Sequence, residues 1–259
     1  ILESGLMKRS IFLTCAAAGL ALAGCHKNNG TGPSTAPVAN ETVTITQATP
    51  PPGGTWGDVI NATSAGFLMG NPNAKVKLVE IGSLSCPHCK AFDDEGVPAL
   101  IEKYVKPGKV SWEFRPYVIH GPIDMAANLI VRCNGIKTFF PLVQAIYKDQ
   151  PVWMAKAETA PQDKVAQIQN LPTNQVFVAM ANLLGLQDWA AARGVPVAKS
   201  NQCLSDQKKI DQEVQLTSDV NNQYPAFAGT PAFIINGTLL PQDTTTWSKL
   251  EPQLQDALK

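Results

Sequence analysis

The chain has 259 residues, a length that suits one or two domains. Hydrophobic residues make up 44% and charged residues 16%, so the chain can bury a core and lacks the composition of a disordered protein. Lys and Arg number 21, as do Asp and Glu, and the resulting net charge of zero argues against nucleic acid as the main ligand, because binding phosphates requires a basic surplus.

Residues 1–25 have the features of an export signal. Lys8 and Arg9 form a positively charged start, and residues 11–23 form an apolar stretch of signal-peptide length. Residues 22–25 read Leu-Ala-Gly-Cys, which resembles the lipobox at which bacterial lipoproteins are cleaved and lipidated. We therefore expect lipidation of Cys25 and a periplasmic, membrane-tethered protein, with an ordinary signal peptide as the alternative. Exported chains can retain disulfides.

Residues 26–60 are predicted to be a flexible tether. Thr, Pro and Gly account for 17 of the 31 residues at 27–57, and such a stretch buries too little apolar surface to offset its ordering entropy. An alternation of Thr with Val and Ile over residues 42–46 is compatible instead with a short strand at a sheet edge.

The first part of the folded body predicts a strand, a helix and a second strand. Residues 76–81 and 110–115 have the β-branched and aromatic composition of strands. Between them, residues 86–103 predict a helix that is interrupted near Gly96 and Pro98.

Helical patterns then run from about residue 123 to residue 222. The strand signal returns at residues 232–235, followed by an Asn-Gly turn and a partner strand that begins at Leu239. Thr246 is placed to cap a last helix that runs to Lys259.

This element order predicts an α/β protein. Residues 61–121 and 225–259 would be the two halves of one small α/β unit, and residues 122–224 would be a helical insertion.

The chemistry is concentrated in Cys86, Pro87, His88 and Cys89. A C-x-x-C sequence that follows a strand and opens a helix is typical of a thioredoxin-type redox site. Cys86 would lie at the helix N-terminus, where free N–H groups and the helix dipole favour a thiolate. Pro87 suits the first helical turn, and Cys89 lies one turn further on. We expect Cys86 to be the attacking thiol and Cys89 the resolving thiol.

His88 adds a donor or a positive charge within the same turn, which would lower the Cys86 pKa further. Alternatively, its side chain is simply exposed beside the motif. We expect no metal and no cofactor other than the Cys86–Cys89 disulfide. A zinc site would need two more ligands at short spacing, and a c-type haem would need a His in place of Lys90. A purely structural disulfide at this pair is the remaining alternative.

Two further features fit a redox site. Glu80 shares a strand face with Val76 and Leu78, so its carboxyl should point into apolar surroundings, where it could relay protons to Cys89; the alternative is a surface-facing strand end. Thr230 and Pro231 stand directly before the late strand, where proline is allowed, and we expect a cis bond between them.

The combination of these motifs resembles the DsbA-like branch of the thioredoxin superfamily. The resemblance covers residues 66–259, and residues 66–89 look most like DsbA-type lipoproteins or periplasmic proteins of α-proteobacteria. It implies a thioredoxin fold with a large inserted helical domain and a thiol:disulfide oxidoreductase in which Thr230 and Pro231 bind substrate backbone. One departure is the segment before the motif, residues 82–85, which lacks the aromatic residues seen in well-known members.

The resemblance further implies that unfolded or partly folded exported proteins are the clients and that a DsbB-type membrane protein is the redox partner. We expect an oxidase that acts as a monomer; a disulfide isomerase or reductase, and a non-enzymatic binding lipoprotein, are the alternatives. Cys133 and Cys203, 70 residues apart, are expected to pair in an exported protein, as a second disulfide does in some relatives; the alternative is two buried free thiols.

Overall fold

The computed structural model describes residues 43–44 and 48–259. The predicted export signal and Cys25 lie outside the described residues, as does most of the predicted tether. Within the part that is described, no helix has the length and apolar character needed to cross a membrane.

A mixed seven-stranded sheet forms the centre of the protein, with the strand order β1-β2-β3-β5-β4-β6-β7. The neighbours β4 and β5 are parallel, and every other pair is antiparallel. The strands are β1 (Val43–Thr44), β2 (Ile60–Thr63), β3 (Phe67–Met69), β4 (Val76–Gly82), β5 (Val110–Pro116), β6 (Ala232–Ile235) and β7 (Thr238–Leu239).

Strand β4 is an interior strand of the sheet, and both of its faces are buried. Val76 and Leu78 belong to the main hydrophobic core, whereas Val79 and Ile81 belong to a smaller cluster on the other face, together with Val220. A strand covered on both sides reads as a nearly continuous apolar run, which is why residues 76–81 stand out in the sequence.

Eleven helices accompany the sheet in the described residues. They are α1 (Pro87–Glu95), α2 (Val97–Leu100), α3 (Pro122–Val131), α4 (Ile136–Lys148), α5 (Gln150–Glu158), α6 (Gln162–Gln169), α7 (Thr173–Leu184), α8 (Leu186–Ala191), α9 (Val197–Ser205), α10 (Gln207–Gln223) and α11 (Trp247–Leu258).

The helix that carries the C-x-x-C motif is broken at the predicted place. Helix α1 ends at Glu95, the N–H of its C-cap residue Gly96 donates to the Phe92 carbonyl at 2.7 Å, and α2 begins at Val97. Pro98 contributes no N–H at this point, so the helical ladder cannot run through it unchanged. One turn of π-helix, Ile101–Val105, completes the segment.

Helices α3 to α10 all lie between β5 and β6 in the chain, which confirms the predicted helical insertion. Strands β4, β5 and β6 are nonetheless adjacent in the sheet. The insertion therefore leaves the α/β unit intact and brings residues around 80, 115 and 232 together.

The structure corrects the predicted boundary of the tether at residue 60. Residues Trp56–Asp58 form a turn of 3₁₀-helix, capped by the side chain of Thr55, and the Trp56 N–H donates to the Lys106 carbonyl at 3.3 Å. Strand β1, within residues 42–46, pairs with β2 at the edge of the sheet. The turn and the strand lie in a stretch that composition alone assigned to the tether. Composition does not reveal them, because contacts with distant residues form them.

Two other details differ from the sequence analysis. Strands β2 and β3 were not predicted; each is short and is defined by pairing, β3 with β5 and β2 with β3. Thr246 does precede the last helix, but its hydroxyl contacts Ser248 Oγ at 3.1 Å and makes no capping hydrogen bond to the backbone.

Candidate redox site

The C-x-x-C motif lies where β4 passes into α1. Cys86 is the N-cap residue of α1, with the extended backbone that such a position requires, and Pro87 is the first helical residue. Cys86 and Cys89 are both free thiols in the structure. Cys86 keeps 5% of its surface exposed and Cys89 none, so Cys86 is the sulfur that a partner can reach.

The surroundings of Cys86 favour its thiolate. Hydrogen bonding from the Cys89 thiol is the largest cause, and the Thr230 side chain and the backbone N–H groups of Cys89 and His88 add to it, so that the pKa of Cys86 is lowered to about 5 despite partial burial. Donors that point at the charged form lower the pKa, and the first turn of a helix supplies them.

The loop before β6 faces Cys86. The bond between Thr230 and Pro231 is cis, as the sequence predicts. In the thiol form, Cys86 Sγ donates to the Thr230 carbonyl at 3.3 Å. The Thr230 hydroxyl is buried and has no hydrogen-bond partner, which leaves it available to donate to a thiolate sulfur.

Cys89 is held in its protonated form. Burial raises its pKa well above the ordinary value, and the neighbouring Cys86 and the charge of Glu80 raise it further. The two sulfurs therefore differ in both access and charge, as expected for an attacking and a resolving thiol.

Glu80 points into the core and not to the surface. It is 1% exposed, and its carboxylate accepts a hydrogen bond from Trp112 Nε1 at 3.1 Å. Burial raises its pKa well above the usual range, and the charge of Asp93 adds to the effect, while the Trp112 bond opposes it. A buried carboxyl with a raised pKa, near a buried thiol, has the chemistry of a proton relay, and this role stays a prediction.

Sequence analysis missed Asp93. It lies one helical turn after Cys89, and burial together with the charge of Asp94 raises its pKa to about 7. The four-residue spacing from Cys89, which places both residues on one face of α1, was the available signal.

Polar side chains of the helical insertion hold the segment before Cys86. Tyr147 donates to the Ser83 carbonyl at 3.1 Å, and Gln150 donates to the Leu84 carbonyl at 2.8 Å and to the Cys86 carbonyl at 3.1 Å. Residues 82–85 of this segment include no aromatic side chain. A polar network from α4 and α5 fixes it in this protein.

Asp124 of α3 completes the network around this segment. It is fully buried, and its carboxylate accepts from Ser83 Oγ at 2.9 Å and from the Ser85 N–H at 3.1 Å. Sequence analysis missed it too, because the 39 residues that separate it from Ser85 carry no local pattern.

The remaining predicted residues lie apart from the sulfurs or on the surface. Pro87 and His88 are exposed, and the contribution of His88 to the low Cys86 pKa comes from its backbone N–H. Tuning by the His88 imidazole stays a prediction.

Cys133 and Cys203 form a disulfide that joins the end of α3 to α9, with the Cα atoms 5.8 Å apart. Across residues 48–259, no three His, Cys, Asp or Glu side chains are grouped as a metal site would require.

Comparison with known proteins agrees with this geometry. Residues 62–256 match a thioredoxin family model. A solved protein-disulfide isomerase of Novosphingobium aromaticivorans is 34% identical, with a TM-score of 0.70 over 74% of this chain and 96% of that one. The alpha-DsbA1 of Wolbachia pipientis, 22% identical over 74% of this chain and 89% of that one, has the same fold with a TM-score of 0.56.

A protein of Rickettsia bellii that is named a protein-disulfide oxidoreductase is 27% identical over 66% of this chain. The aligned region spans 57% of that relative, a little more than half of its length. The fold is thus the thioredoxin fold with a helical insertion, and the chain belongs to the thioredoxin family.

Proposed function

We propose that the protein is a thiol:disulfide oxidoreductase that acts through Cys86 and Cys89. The observation that carries this proposal is the contrast between the two sulfurs, one reachable with a lowered pKa and the other buried with a raised pKa. A client thiolate attacks Cys86 of the Cys86–Cys89 disulfide, the S–S bond breaks, and Cys89 leaves and takes up a proton. A second client thiolate then attacks the client sulfur of the mixed disulfide and releases Cys86 as a thiolate.

The favoured direction is oxidation of the client. The disulfide is neutral, whereas the reduced protein carries the Cys86 thiolate, and whatever stabilises that thiolate makes the disulfide a stronger oxidant. The lowered pKa of Cys86 supports this direction. The relative named as an isomerase keeps an isomerase or reductase as the second candidate. The reduction potential of the Cys86/Cys89 couple decides between them, because an oxidase requires a value well above that of thioredoxin.

The proposal extends to the setting in which the enzyme works. The clients would be unfolded or partly folded exported proteins, and the Thr230–Pro231 loop would pair with their extended backbone. Reoxidation would come from a DsbB-type membrane protein. The enzyme would be a periplasmic monomer tethered by a lipid on Cys25. The resemblance and the signal-like residues 1–25 support this setting, and the net charge of zero fits a protein that does not bind nucleic acid.

The test is turnover on a reduced, unfolded model client with two variants. Cys86→Ser should abolish disulfide transfer. Reduced Cys89→Ser, offered instead the same client in its disulfide form, should accumulate a mixed disulfide, because the Cys86 thiolate breaks the client disulfide, one client thiolate leaves, and no resolving thiol then attacks Cys86. The Cys133→Ala/Cys203→Ala pair is the matched control, since it removes two cysteines outside the motif. Transfer that survives Cys86→Ser would refute the proposal and leave a binding role.

A further inference from the structure

His120, on the loop between β5 and α3, lies next to the segment that carries Cys86. Its imidazole is at the surface, and its Nδ1 is 2.6 Å from the buried hydroxyl of Ser85. Its backbone N–H donates to Asp124 Oδ2 at 2.8 Å, beside the Ile119 N–H at 2.9 Å. Both the ring and the backbone of His120 are thus joined to the polar network around residues 83–85.

A continuous series of contacts connects the ring to the Asp124 carboxylate. His120 Nδ1 contacts Ser85 Oγ, Ser85 Oγ contacts Ser83 Oγ at 3.1 Å, and Ser83 Oγ donates to Asp124 Oδ1 at 2.9 Å. Both hydroxyls and the carboxylate are buried. Buried polar atoms at these distances require a hydrogen in each contact, because two facing acceptors repel.

With one hydrogen in each contact, the acceptor at the buried end of the series sets a single direction for its bonds. The carboxylate only accepts, so the single hydrogen of the Ser83 hydroxyl belongs to Asp124. Ser83 Oγ accepts from the Ser85 N–H at 3.3 Å, and in this direction it accepts from Ser85 Oγ as well, which leaves the Ser85 oxygen as an acceptor toward His120. The hydrogen between Ser85 and His120 must therefore be on Nδ1 of the ring.

We propose that His120 is a positioning residue of the redox site, which acts as the terminal donor of the series His120 Nδ1–H to Ser85, Ser85 to Ser83, and Ser83 to Asp124. The hydroxyl it binds belongs to the residue that immediately precedes Cys86. The series fixes the orientation of this residue, and with it the start of α1, where the N–H groups of His88 and Cys89 face the Cys86 sulfur. In the neutral ring the arrangement leaves Nε2 as an acceptor.

The tautomer gives a direct test that does not depend on turnover. Nitrogen-15 spectra of the reduced full-length protein, recorded at a pH where the ring is neutral, should show His120 protonated on Nδ1 and bare on Nε2. Its signals are identified by their loss in His120→Asn. Ser85→Ala removes the acceptor and should reduce the Nδ1–H population. A wild-type ring protonated on Nε2 would overturn the proposal.

Two variants of similar size distinguish a hydrogen-bond donor at position 120 from a side chain that only packs there. Asn at position 120 keeps a side-chain N–H near the place of Nδ1, whereas Leu does not. Hydrogen exchange of the Ser85 amide should rise about fivefold in His120→Leu, as expected for the loss of one hydrogen bond, and should stay near the wild-type rate in His120→Asn. Equal exchange in all three proteins would refute the positioning role.

The rate of Cys86 alkylation tests whether His120 positions Cys86, a step that rests on the proposed function. At mildly acidic pH the rate reports the thiolate fraction of Cys86, so His120→Leu should slow labelling several-fold and His120→Asn should restore it. If the tautomer and exchange results hold but labelling is unchanged in both variants, the series orders the segment without positioning Cys86, and the proposal fails. Absence of client turnover in the wild type would instead count against the proposed function alone.

Discussion

Thr230 contributes to the redox site through a hydroxyl that has no partner while Cys86 is a thiol. The Thr230 carbonyl accepts from that thiol but cannot stabilise a thiolate, whereas the hydroxyl can donate to one, and the side chain does lower the Cys86 pKa. Thr230→Val should therefore raise the Cys86 pKa from about 5 by about one to two pKa units, the value of one hydrogen bond to a charged group. Thiolate absorbance during a pH titration measures it.

Thr230→Ser is the control for that prediction, because serine keeps the hydroxyl and removes only a methyl group. The serine variant should titrate close to the wild type. A Val variant that titrates with the wild type would show that the hydroxyl does not reach the thiolate.

Glu80, which lies near Cys89, lowers the unfolding free energy of the protein at neutral pH. Its folded pKa is raised above 4.5, so the unfolded state ionises first, and stability declines as the pH rises from about 4.5 toward the folded pKa. Glu80→Gln keeps an acceptor for Trp112 and removes this loss, so its unfolding free energy should exceed that of the wild type at neutral pH and approach it below pH 4.5. Urea denaturation at both pH values tests this.

The same Glu80→Gln variant should be slower in chemistry. If the carboxyl relays protons to and from Cys89, resolution of a trapped mixed disulfide should slow by about a hundredfold, the usual contribution of a positioned acid or base. Rapid-quench measurement of client release gives this rate. An unchanged rate would remove Glu80 from the chemistry and leave it a structural residue.

At the residue scale the sequence was sufficient where the signal was local. The C-x-x-C spacing, the strand face of Glu80 and the placement of Pro231 each follow from a few neighbouring residues. Asp124, Tyr147 and Gln150 could not be found in this way. Each contacts residues 83–86 from the helical insertion across 39 or more positions of sequence, and helix periodicity does not show which polar side chain will meet a distant loop.

At the scale of elements, the Cys133–Cys203 disulfide ties α3 to α9 across 70 residues. A loop of that length restricts the unfolded chain, so Cys133→Ala/Cys203→Ala should lower the unfolding free energy by about 4 kcal/mol in the chain-entropy model. Denaturant titration measures the loss. Single variants are less informative, since each leaves a free thiol that can exchange with the redox pair.

Disulfide transfer by this double variant should stay close to that of the wild type at a temperature where it is folded. Neither Cys133 nor Cys203 bonds the segment before Cys86, which α3 holds through Asp124 instead. A large loss of transfer in a fully folded variant would show that the disulfide sets the position of α3 at the redox site.

The elements that were predicted correctly are those with a strong signal of their own. Strand β6 is apolar throughout, and β4 has apolar residues at 76, 78, 79 and 81, because both strands are buried. Strands β2 and β3 have four and three residues, and their sequences Ile-Asn-Ala-Thr and Phe-Leu-Met do not distinguish a strand from a loop or a helical turn. Pairing of β3 with β5 and of β2 with β3 makes them strands, and pairing is a property of the assembled sheet.

At the scale of the whole molecule, the fold joins three parts of the chain that are far apart in sequence. Strand β4 brings Glu80 and leads into Cys86, the loop before β6 brings Thr230, and the insertion between β5 and β6 supplies the side chains that hold residues 83–86. Adjacency of β4 to both β5 and β6 makes this possible. The redox site is therefore sensitive to how the insertion packs, although both cysteines belong to the α/β unit.

The same arrangement makes the stability of the whole protein depend on redox state and pH together. In the reduced protein the Cys86 pKa is about 5, compared with an ordinary value of 9.0, so the folded form ionises before the unfolded form does. A lowered folded pKa adds stability that is complete above the unfolded value and is lost as the pH falls through the folded value. The oxidised protein has no such thiol. The unfolding free energy of the reduced protein, minus that of the oxidised protein, should thus decrease steadily from pH 9 to pH 5.

Paired denaturation curves of the two redox forms across this pH range measure that difference. Contributions that do not depend on redox state cancel, and Cys89 stays protonated in both the folded and the unfolded chain over most of the range because its folded pKa lies above the ordinary value. Repeating the reduced series with Cys86→Ser provides the baseline, since serine has no thiolate to lose. A difference that is flat between pH 9 and pH 5, or that grows as the pH falls, would contradict a stabilised Cys86 thiolate and with it the physical basis for oxidation of clients.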